Sequence, residues 1–400
     1  MNTASRGPLN RDLRPIGVAT RAVMAGETMD PDGKIRYAVV GAGSLAQTAV
    51  LPAFRNAHNS RLSTIVSGDD EKREELAGRY GLRRTWSYEQ FDECMRSGEV
   101  DAVYITLPNH LHRLYTERAA NAGIHVLCEK PMAPNESDCR RMIDAARTAG
   151  VKLMAAYRLH FEQANLEAIK ICESGRLGDL RIFHSVFTQQ VEEGNVRLTQ
   201  DVEHGGGPLF DMGVYCINAA RYLFRDEPVE LSAFRGNIGS RRFQVTEEMD
   251  SVILRFPEDR LANFTVSFGA ASASRYTVVG TKGVLLADPA YDYSKDLRLR
   301  TSIGDDSSET IFPVRDQFGP EILYFSDCIL NDREPEPSGE EGLIDVQIIR
   351  AAYRASDLGR PVPIEAAHRK RRPEPAQEID CPALKKPDLV NARMPKKKEE

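Results

Sequence analysis

The run Lys34-Ile-Arg-Tyr-Ala-Val-Val-Gly41-Ala-Gly43-Ser44-Leu45-Ala46 ends an apolar, β-branched stretch in a glycine turn, and a helical pattern (Leu45, Ala46, Ala49, Val50, Ala53) begins at once. A Gly-x-Gly-x-x-Gly/Ala string is informative where strand gives way to helix, because a dinucleotide site requires that context. Gly41 permits the tight turn, Gly43 lets the main chain approach a pyrophosphate, and Ala46 is small enough for helix and strand to pack. The anion would sit at the helix N-terminus, where unpaired N–H groups and the helix dipole favour negative charge. The bland alternative is a tight strand-to-helix turn with no ligand.

Two further strand ends carry polar residues. Pro108-Asn109-His110-Leu111-His112 follows Val103-Tyr-Ile-Thr-Leu107, and Glu129-Lys130-Pro131 follows His125-Val-Leu-Cys128. Asn109 and His112 could equally cap the next helix. Glu129 and Lys130 are harder to explain as structure, because a charged pair directly after a buried strand costs desolvation unless something uses it. Later in the chain, Gly205-Gly-Gly-Pro-Leu-Phe-Asp211-Met-Gly-Val-Tyr215-Cys-Ile-Asn218 spaces Asp211, Tyr215 and Asn218 four and three apart. That spacing puts them on one helix face. The triple glycine before them permits close approach of a ligand or of another domain. The structural account makes Tyr215 a half-buried aromatic and Asp211 a helix-terminus partner.

These residues need elements to hold them. From residue 34 short apolar runs alternate with helical stretches: strands at Leu62–Gly68, Asp101–Leu107 and His125–Cys128, with Lys152–Tyr157 as a sixth, and helices at Glu71–Tyr80, Glu89–Ser97, Leu111–Ala122 and Asn135–Ala149. That alternation predicts an α/β fold with a parallel sheet covered on both faces, and ligands gather at the carboxyl ends of such strands. The grammar then changes. Helices at Leu166–Glu173 and Leu209–Phe224 accompany period-two runs at Arg181–Gln190, Val229–Asn237, Ser251–Phe256, Ala262–Phe268, Tyr276–Val279, Leu297–Thr301 and Thr310–Val314. These imply a second, α+β domain with a largely antiparallel sheet and helices on one face. Pro320–Leu330 and Glu340–Asp357 read as closing helices. The domains expected are an N-terminal extension (1–33), a dinucleotide-binding domain (34–156), an α+β domain for substrate and oligomerisation (157–365) and a flexible charged tail (366–400).

Composition narrows the classes. The 400 residues are 41% hydrophobic with a net charge of −6, which gives no whole-chain reason to expect nucleic acid. The basic clusters His368-Arg-Lys-Arg-Arg372 and Lys396-Lys-Lys398 read as solvated tail. Seven cysteines, odd in number and widely spaced, form no C-x-x-C pair or Cys/His set, so neither a disulfide framework nor a metal site is expected. Reduced thiols and a cytoplasmic location are the default. No apolar run approaches membrane-spanning length, and the N-terminus lacks the apolar core of a secretory signal.

Taken together, Gly41-Ala-Gly43-Ser-Leu-Ala46, Pro108-Asn-His-Leu-His112, Glu129-Lys130-Pro131, Tyr157-Arg158 and the glycine-led helix carrying Asp211 and Tyr215 resemble the glucose–fructose oxidoreductase/inositol dehydrogenase (Gfo/Idh/MocA) family over about residues 34–365. The most specific element is Glu-Lys-Pro at the end of the fifth strand. Many members carry histidine where this chain has Tyr215, and a tyrosine there is similar to the glucose–fructose oxidoreductase and dihydrodiol dehydrogenase branches. The resemblance implies a Rossmann domain and an oxidoreductase acting on CH–OH groups. Glu129 and Lys130 would lie beside a nicotinamide, with Lys130 donating a hydrogen bond to the reacting oxygen. Tyr215 would be the acid/base. A free phenol is a poor base at neutral pH, and Lys130 is the candidate to stabilise its anion. Asp211 would orient a sugar hydroxyl or the catalytic pair, and Arg158 would line the cleft. Ser44, Leu45, Pro108, Asn109 and His112 would complete the cofactor contacts.

Cofactor choice is written after the second strand, in Ser67-Gly-Asp-Asp-Glu-Lys72. A hydroxyl at Ser67 and a cation at Lys72 suit a 2′-phosphate and are similar to NADP-using members. Asp69, Asp70 and Glu71 oppose this, and the expectation is NADP over NAD. The leading reading is a sugar or polyol oxidoreductase, with cofactor that could stay bound between half-reactions under an N-terminal arm. Its rivals are a ligand-sensing regulator without turnover, against which the intact Lys130, Asp211 and Tyr215 argue, and an NAD-dependent glycosidase of the same fold. A homodimer or homotetramer is expected, because a partner subunit would cover the free face of the antiparallel sheet.

Overall fold

The computed structural model describes residues 32–365, 367, 369 and 371–392, so the N-terminal arm and Lys396–Lys398 lie outside the described residues. Five parallel strands form the first sheet: β1 (Ile35–Val40), β2 (Ser60–Val66), β3 (Ala102–Ile105), β4 (His125–Glu129) and β5 (Leu153–Ala156). Their order is β2-β1-β3-β4-β5. The stretch Lys152–Tyr157, counted as a sixth strand, is present as the fifth, β5, and Glu129 ends the fourth strand rather than the fifth. The register sets Val40 beside Val66 and Ile105, and Ile105 beside Cys128. The segments that leave these strands therefore emerge side by side along one edge.

Local chemistry ends the helices where the sequence does. Asn135 accepts from the Asp138 N–H at 2.9 Å at the start of Glu136–Ala149, and Gly150 closes it in the left-handed region at φ 68°. Asp69 plays the same opening role for Asp70–Tyr80 through the Lys72 N–H, also at 2.9 Å.

The second sheet has nine strands. They are β6 (Leu180–Thr188), β7 (Glu230–Gly236), β8 (Met249–Arg255), β9 (Leu261–Ser267), β10 (Ala273–Gly280), β11 (Gly283–Ala287), β12 (Leu297–Ile303), β13 (Asp306–Phe312) and β14 (Val362–Pro363). The order is β13-β12-β11-β10-β6-β9-β8-β7-β14, antiparallel except where β6 runs parallel to β9. Strand β11 was not expected; it follows β10 after only two residues, too close for a separate period to register. One face of the sheet is buried against the helices Gln163–Glu173 and Val214–Phe224, with Phe183, Val252, Phe264 and Val278 fully enclosed. The other face exposes Ile182, Phe234, Ile253 and Leu261.

Two expectations about the end of the chain fail. The helix Gly319–Leu330 does not close the second domain. Its Ile322 and Phe325 pack with Tyr37 and Val39 beneath the first sheet, and the Tyr37 and Ser326 hydroxyls meet at 2.8 Å. Residues 371–392, expected as flexible tail, also lie against the protein, burying Cys381 and Val390. The basic cluster before them is not simply solvated either. Arg369 bonds Glu336 at 2.7 Å and contacts Glu341, and Arg372 reaches Glu227 at 2.9 Å. These carboxylates surround Arg221, which is fully buried and bonds Glu227 at 2.5 Å, Glu341 at 2.8 Å and Asp345. Buried carboxylates in this number need cations, and the cluster supplies them.

Candidate active site

The first sheet delivers three parts of the site from its edge. At Gly41 φ is +98°, and a Cβ would sit 2.9 Å from the Thr106 carbonyl oxygen. Only glycine keeps this turn against the loop after β3. Nothing lies within 4 Å of where a Cβ on Gly43 would be, so the main chain there is open to a bulky anion. Ser44 and Leu45 begin a helix whose next turn, Ala46–Val50, is π-helical, and Ala46 is buried against the strands as expected. These features fit a dinucleotide at this edge.

Beyond β4, Lys130 points at the second domain. Its ammonium donates to the Asp211 main-chain oxygen at 2.9 Å and lies 3.3 Å from the carboxylate. It also sits 4.6 Å from the centre of the Tyr215 ring. Burial works against charging Lys130, but Tyr215, Asp211 and Glu129 outweigh it and hold the ammonium above its ordinary range. Arg158 presents its guanidinium carbon 5.1 Å from the centre of the same ring. The phenol is thus flanked by two cations.

Glu129 lines the same cavity and also meets Tyr104 of the neighbouring strand. The Tyr104 hydroxyl lies 2.9 Å from Glu129 and 3.0 Å from Glu321. One hydroxyl carries one proton, so one of those carboxyls must itself donate. Burial, then the neighbouring Glu129, push the Glu321 carboxyl well above the usual range, which makes Glu321 the protonated partner.

Arg197 was missed from sequence. It lies on the short helix Val196–Thr199, and its Nε meets the Asp211 carboxylate at 2.8 Å. Burial would raise the Asp211 carboxyl, but Arg197 and Lys130 together hold it below its ordinary range. With its two oxygens facing two cations, Asp211 fixes the position of Lys130. Tyr215 and Asp211 line one cavity of about 350 Å³, together with Leu45, Lys130, Arg158 and Arg197.

Other expected site residues land differently. Asn218 is turned away from the cavity and donates to Glu341 and Asp345 at 2.9 and 3.0 Å. Tyr215 and Asn218 both lie on the regular helix Val214–Phe224, where positions three apart still diverge around the axis by about 60°. His112 is corrected from a cofactor contact to a structural tie. It is fully buried, with Nε2 2.8 Å from the Leu107 oxygen and Nδ1 3.1 Å from that of Pro131, and burial pushes its pKa down to about 4. Asn109 gives its amide to Gly205 at 2.8 Å, joining the loop after Pro108 to the triple glycine, where a Cβ on Gly205 would strike Asn109. Arg158 lines the cleft, but its guanidinium is held from the second domain by Gln317 and by the Tyr291 oxygen, not by the glycine turn. After β2, Ser67 is buried, its carbonyl accepts from Arg73 at 2.6 Å, and Lys72 stands 3.9 Å from Asp69.

A Rossmann-type sheet feeding a lysine to a tyrosine on a helix of a second, open-faced α+β domain defines a dinucleotide-dependent oxidoreductase acting on CH–OH groups. The chain belongs to the Gfo/Idh/MocA family: residues 35–157 match the model described as an oxidoreductase family with an NAD-binding Rossmann fold, and residues 165–286 match the GFO/IDH/MocA C-terminal domain. It is similar to D-xylose 1-dehydrogenase [NADP(+)] of Haloarcula marismortui, at 31% identity over 84% of this chain and 94% of that one. The 1,5-anhydro-D-fructose reductase of Ensifer adhaerens is 29% identical over 82% and 98%. Among solved structures, the aldose-aldose oxidoreductase of Caulobacter crescentus, complexed with glycerol, superposes with a TM-score of 0.79 at 38% identity, covering 83% of this chain and all of that one.

Proposed function

We propose that this protein is an NADP-dependent oxidoreductase of a sugar or polyol, with Tyr215 as acid/base and Lys130 as its partner. The nicotinamide supplies or accepts the hydride when bound. Gly41, Gly43, Ser44, Leu45 and Ala46 would hold its pyrophosphate, and Glu129 would border its ring. Tyr215 passes the hydroxyl proton to or from the substrate oxygen. Lys130, kept charged by its surroundings, stabilises that oxygen and the phenolate. Asp211 and Arg197 fix the lysine, and Arg158 adds a second cation beside the phenol.

The observation that carries this reading is the 4.6 Å approach of the Lys130 ammonium to the Tyr215 ring, made in one cavity with Leu45. A cavity of about 350 Å³ with both charges represented suits a monosaccharide. The choice of NADP rests on Ser67, Lys72 and Arg73 and on the names of the relatives. The opposing acids there are already engaged: Asp69 caps a helix, and Asp70 bonds Arg73 at 2.5 Å. The seven cysteines are buried free thiols, which supports a cytoplasmic location. A homodimer or homotetramer assembled over the open sheet face completes the proposal.

The test is the mass and redox state of the nucleotide that copurifies, followed by aldoses and polyols assayed for nicotinamide absorbance with NADP and with NAD. Reduction of NADP by an aldose, faster than of NAD, is the expected result. Tighter binding of NAD, or turnover of no CH–OH substrate, overturns it.

A further inference from the structure

The C-terminal segment runs along the dinucleotide-binding edge rather than away from it. The Cys381 oxygen accepts from the Asp316 N–H at 3.2 Å, and the Pro382 oxygen accepts from Asn56 at 3.0 Å. Leu384 then packs against the apolar cluster beneath the first sheet. Two residues on, Lys386 enters the active-site cavity, which it shares with Leu45 of the glycine turn, and its ammonium lies 5.0 Å from the centre of the Tyr293 ring. The main chain continues across the first two helices. Asp388 accepts from Arg79 at 2.6 Å. Val390 exchanges two hydrogen bonds with Gln47, at 2.9 and 2.7 Å, and Gln47 is itself fully buried on the helix that follows the glycine turn. Asn391 ends the run by donating to Asp69 and Glu71, at 3.3 and 3.1 Å, at the start of the helix that follows β2.

Three stations of a dinucleotide site are therefore touched in order: the cavity, the pyrophosphate helix and the ribose loop. The cations deeper in the cavity are committed, since Lys130 and Arg197 share Asp211 and Arg158 is held by Gln317 and Tyr291. Lys386 is exposed and, among the described residues, makes no ion pair. It lines the same cavity as Leu45, two residues from the open main chain at Gly43, and so brings a positive charge to the cavity that a pyrophosphate at the glycine turn would border.

We infer that residues 384–391 are a clasp for the cofactor, in which Lys386 pairs with the pyrophosphate and residues 388–391 pin the helix and loop that hold the rest of it. The inference builds on the dinucleotide reading above. It gives the C-terminal segment of the same chain the retaining role that the sequence suggested for an N-terminal arm. Asn391 also gives the Asp69 and Glu71 carboxylates a neutral donor beside Lys72.

The experiment uses the full-length protein. Affinity for NADPH is read by its fluorescence, and release by stopped-flow displacement with excess NADP, for wild type, Lys386→Arg, Lys386→Ala and Lys386→Glu, with Lys385→Ala as control. Loss of one charge-assisted contact weakens binding about tenfold in Lys386→Ala and further in Lys386→Glu, mostly through faster release, while Lys386→Arg and the control stay near wild type. Hydrogen exchange gives a second readout: NADP is expected to slow the amides of 388–391 in wild type. Unchanged affinity and release in both the alanine and glutamate variants overturns the clasp, as does a loss confined to the sugar KM. Wild type that binds no dinucleotide overturns the clasp and the cofactor reading together, whereas binding by wild type with indifferent Lys386 variants overturns the clasp alone.

Discussion

Lys130 and Asp211 lie in different domains, yet the ammonium of one donates to the main-chain oxygen of the other at 2.9 Å. The strand-end lysine is therefore aimed by the helix that carries Tyr215, four residues further on. Removing charge from this contact should disturb the chemistry before the fold. In Asp211→Asn, Arg197 and Lys130 lose their shared anion, and kcat is expected to fall by roughly 10- to 100-fold with little change in NADPH affinity. An unchanged kcat in steady-state assays would remove Asp211 from the catalytic arrangement.

Tyr215→Phe keeps the ring beside Lys130 and Arg158 but deletes the hydroxyl that we propose carries the proton. Positioned proton transfer of this kind contributes about 10²–10⁴-fold, and kcat/KM should drop within that range. NADPH fluorescence titration should give the wild-type affinity. A variant that turns over normally would reassign the acid/base.

Arg369 is expected to behave as a structural residue despite lying in a basic, sequence-terminal cluster. Arg369→Ala leaves Glu336 and Glu341 short of a cation inside the protein, and such losses cost about 3–5 kcal/mol. Urea denaturation measures this directly. An unmoved midpoint would return the cluster to the solvent.

His112 makes stability depend on pH. Burial lowers its folded pKa to about 4, below its unfolded value near 6.5. Its contribution is present above pH 6.5 and is lost as pH falls through about 4, because the unfolded chain takes up the proton first. The full effect is of order 3 kcal/mol. Urea midpoints at pH 7.5 and 5 should converge more closely for His112→Gln than for wild type. Equal slopes would mean that the ring is charged in the folded protein.

The exposed face of the second sheet predicts assembly. Ile253 and Phe234 are 48% and 73% exposed on neighbouring strands that pack a core on their opposite side. Ile253→Lys should shift the molar mass by light scattering towards one subunit. A wild-type monomer at micromolar concentration would refute a partner on this face.

The motifs at the strand ends were legible because buried parallel strands leave few reasons for Gly41, Gly43, Glu129 or Lys130 to stand where they do. The βα alternation and the mostly antiparallel second sheet were legible from period. What escaped was tertiary. Arg197 lies in a stretch with no period, and nothing local links it to Asp211. His112 looked like any polar strand-end residue until burial closed both ring nitrogens onto carbonyls. Arg369 and Arg372 read as solvent-seeking charge, since the carboxylates they meet are supplied by Glu227, Glu336 and Glu341, distant in sequence or on other elements. Asn218 was misplaced because Glu341 and Asp345, which take its amide, come from a helix distant in sequence.

The helix Gly319–Leu330 gives the chain an interlaced rather than a modular build. A fragment cut after β5 would bare Tyr37, Val39 and the hydroxyl of Tyr104, groups that this late helix and Glu321 otherwise shelter. Recombining the two halves with those of a relative would thus mean transplanting a discontinuous unit, and a simple swap at a single crossover should give insoluble protein.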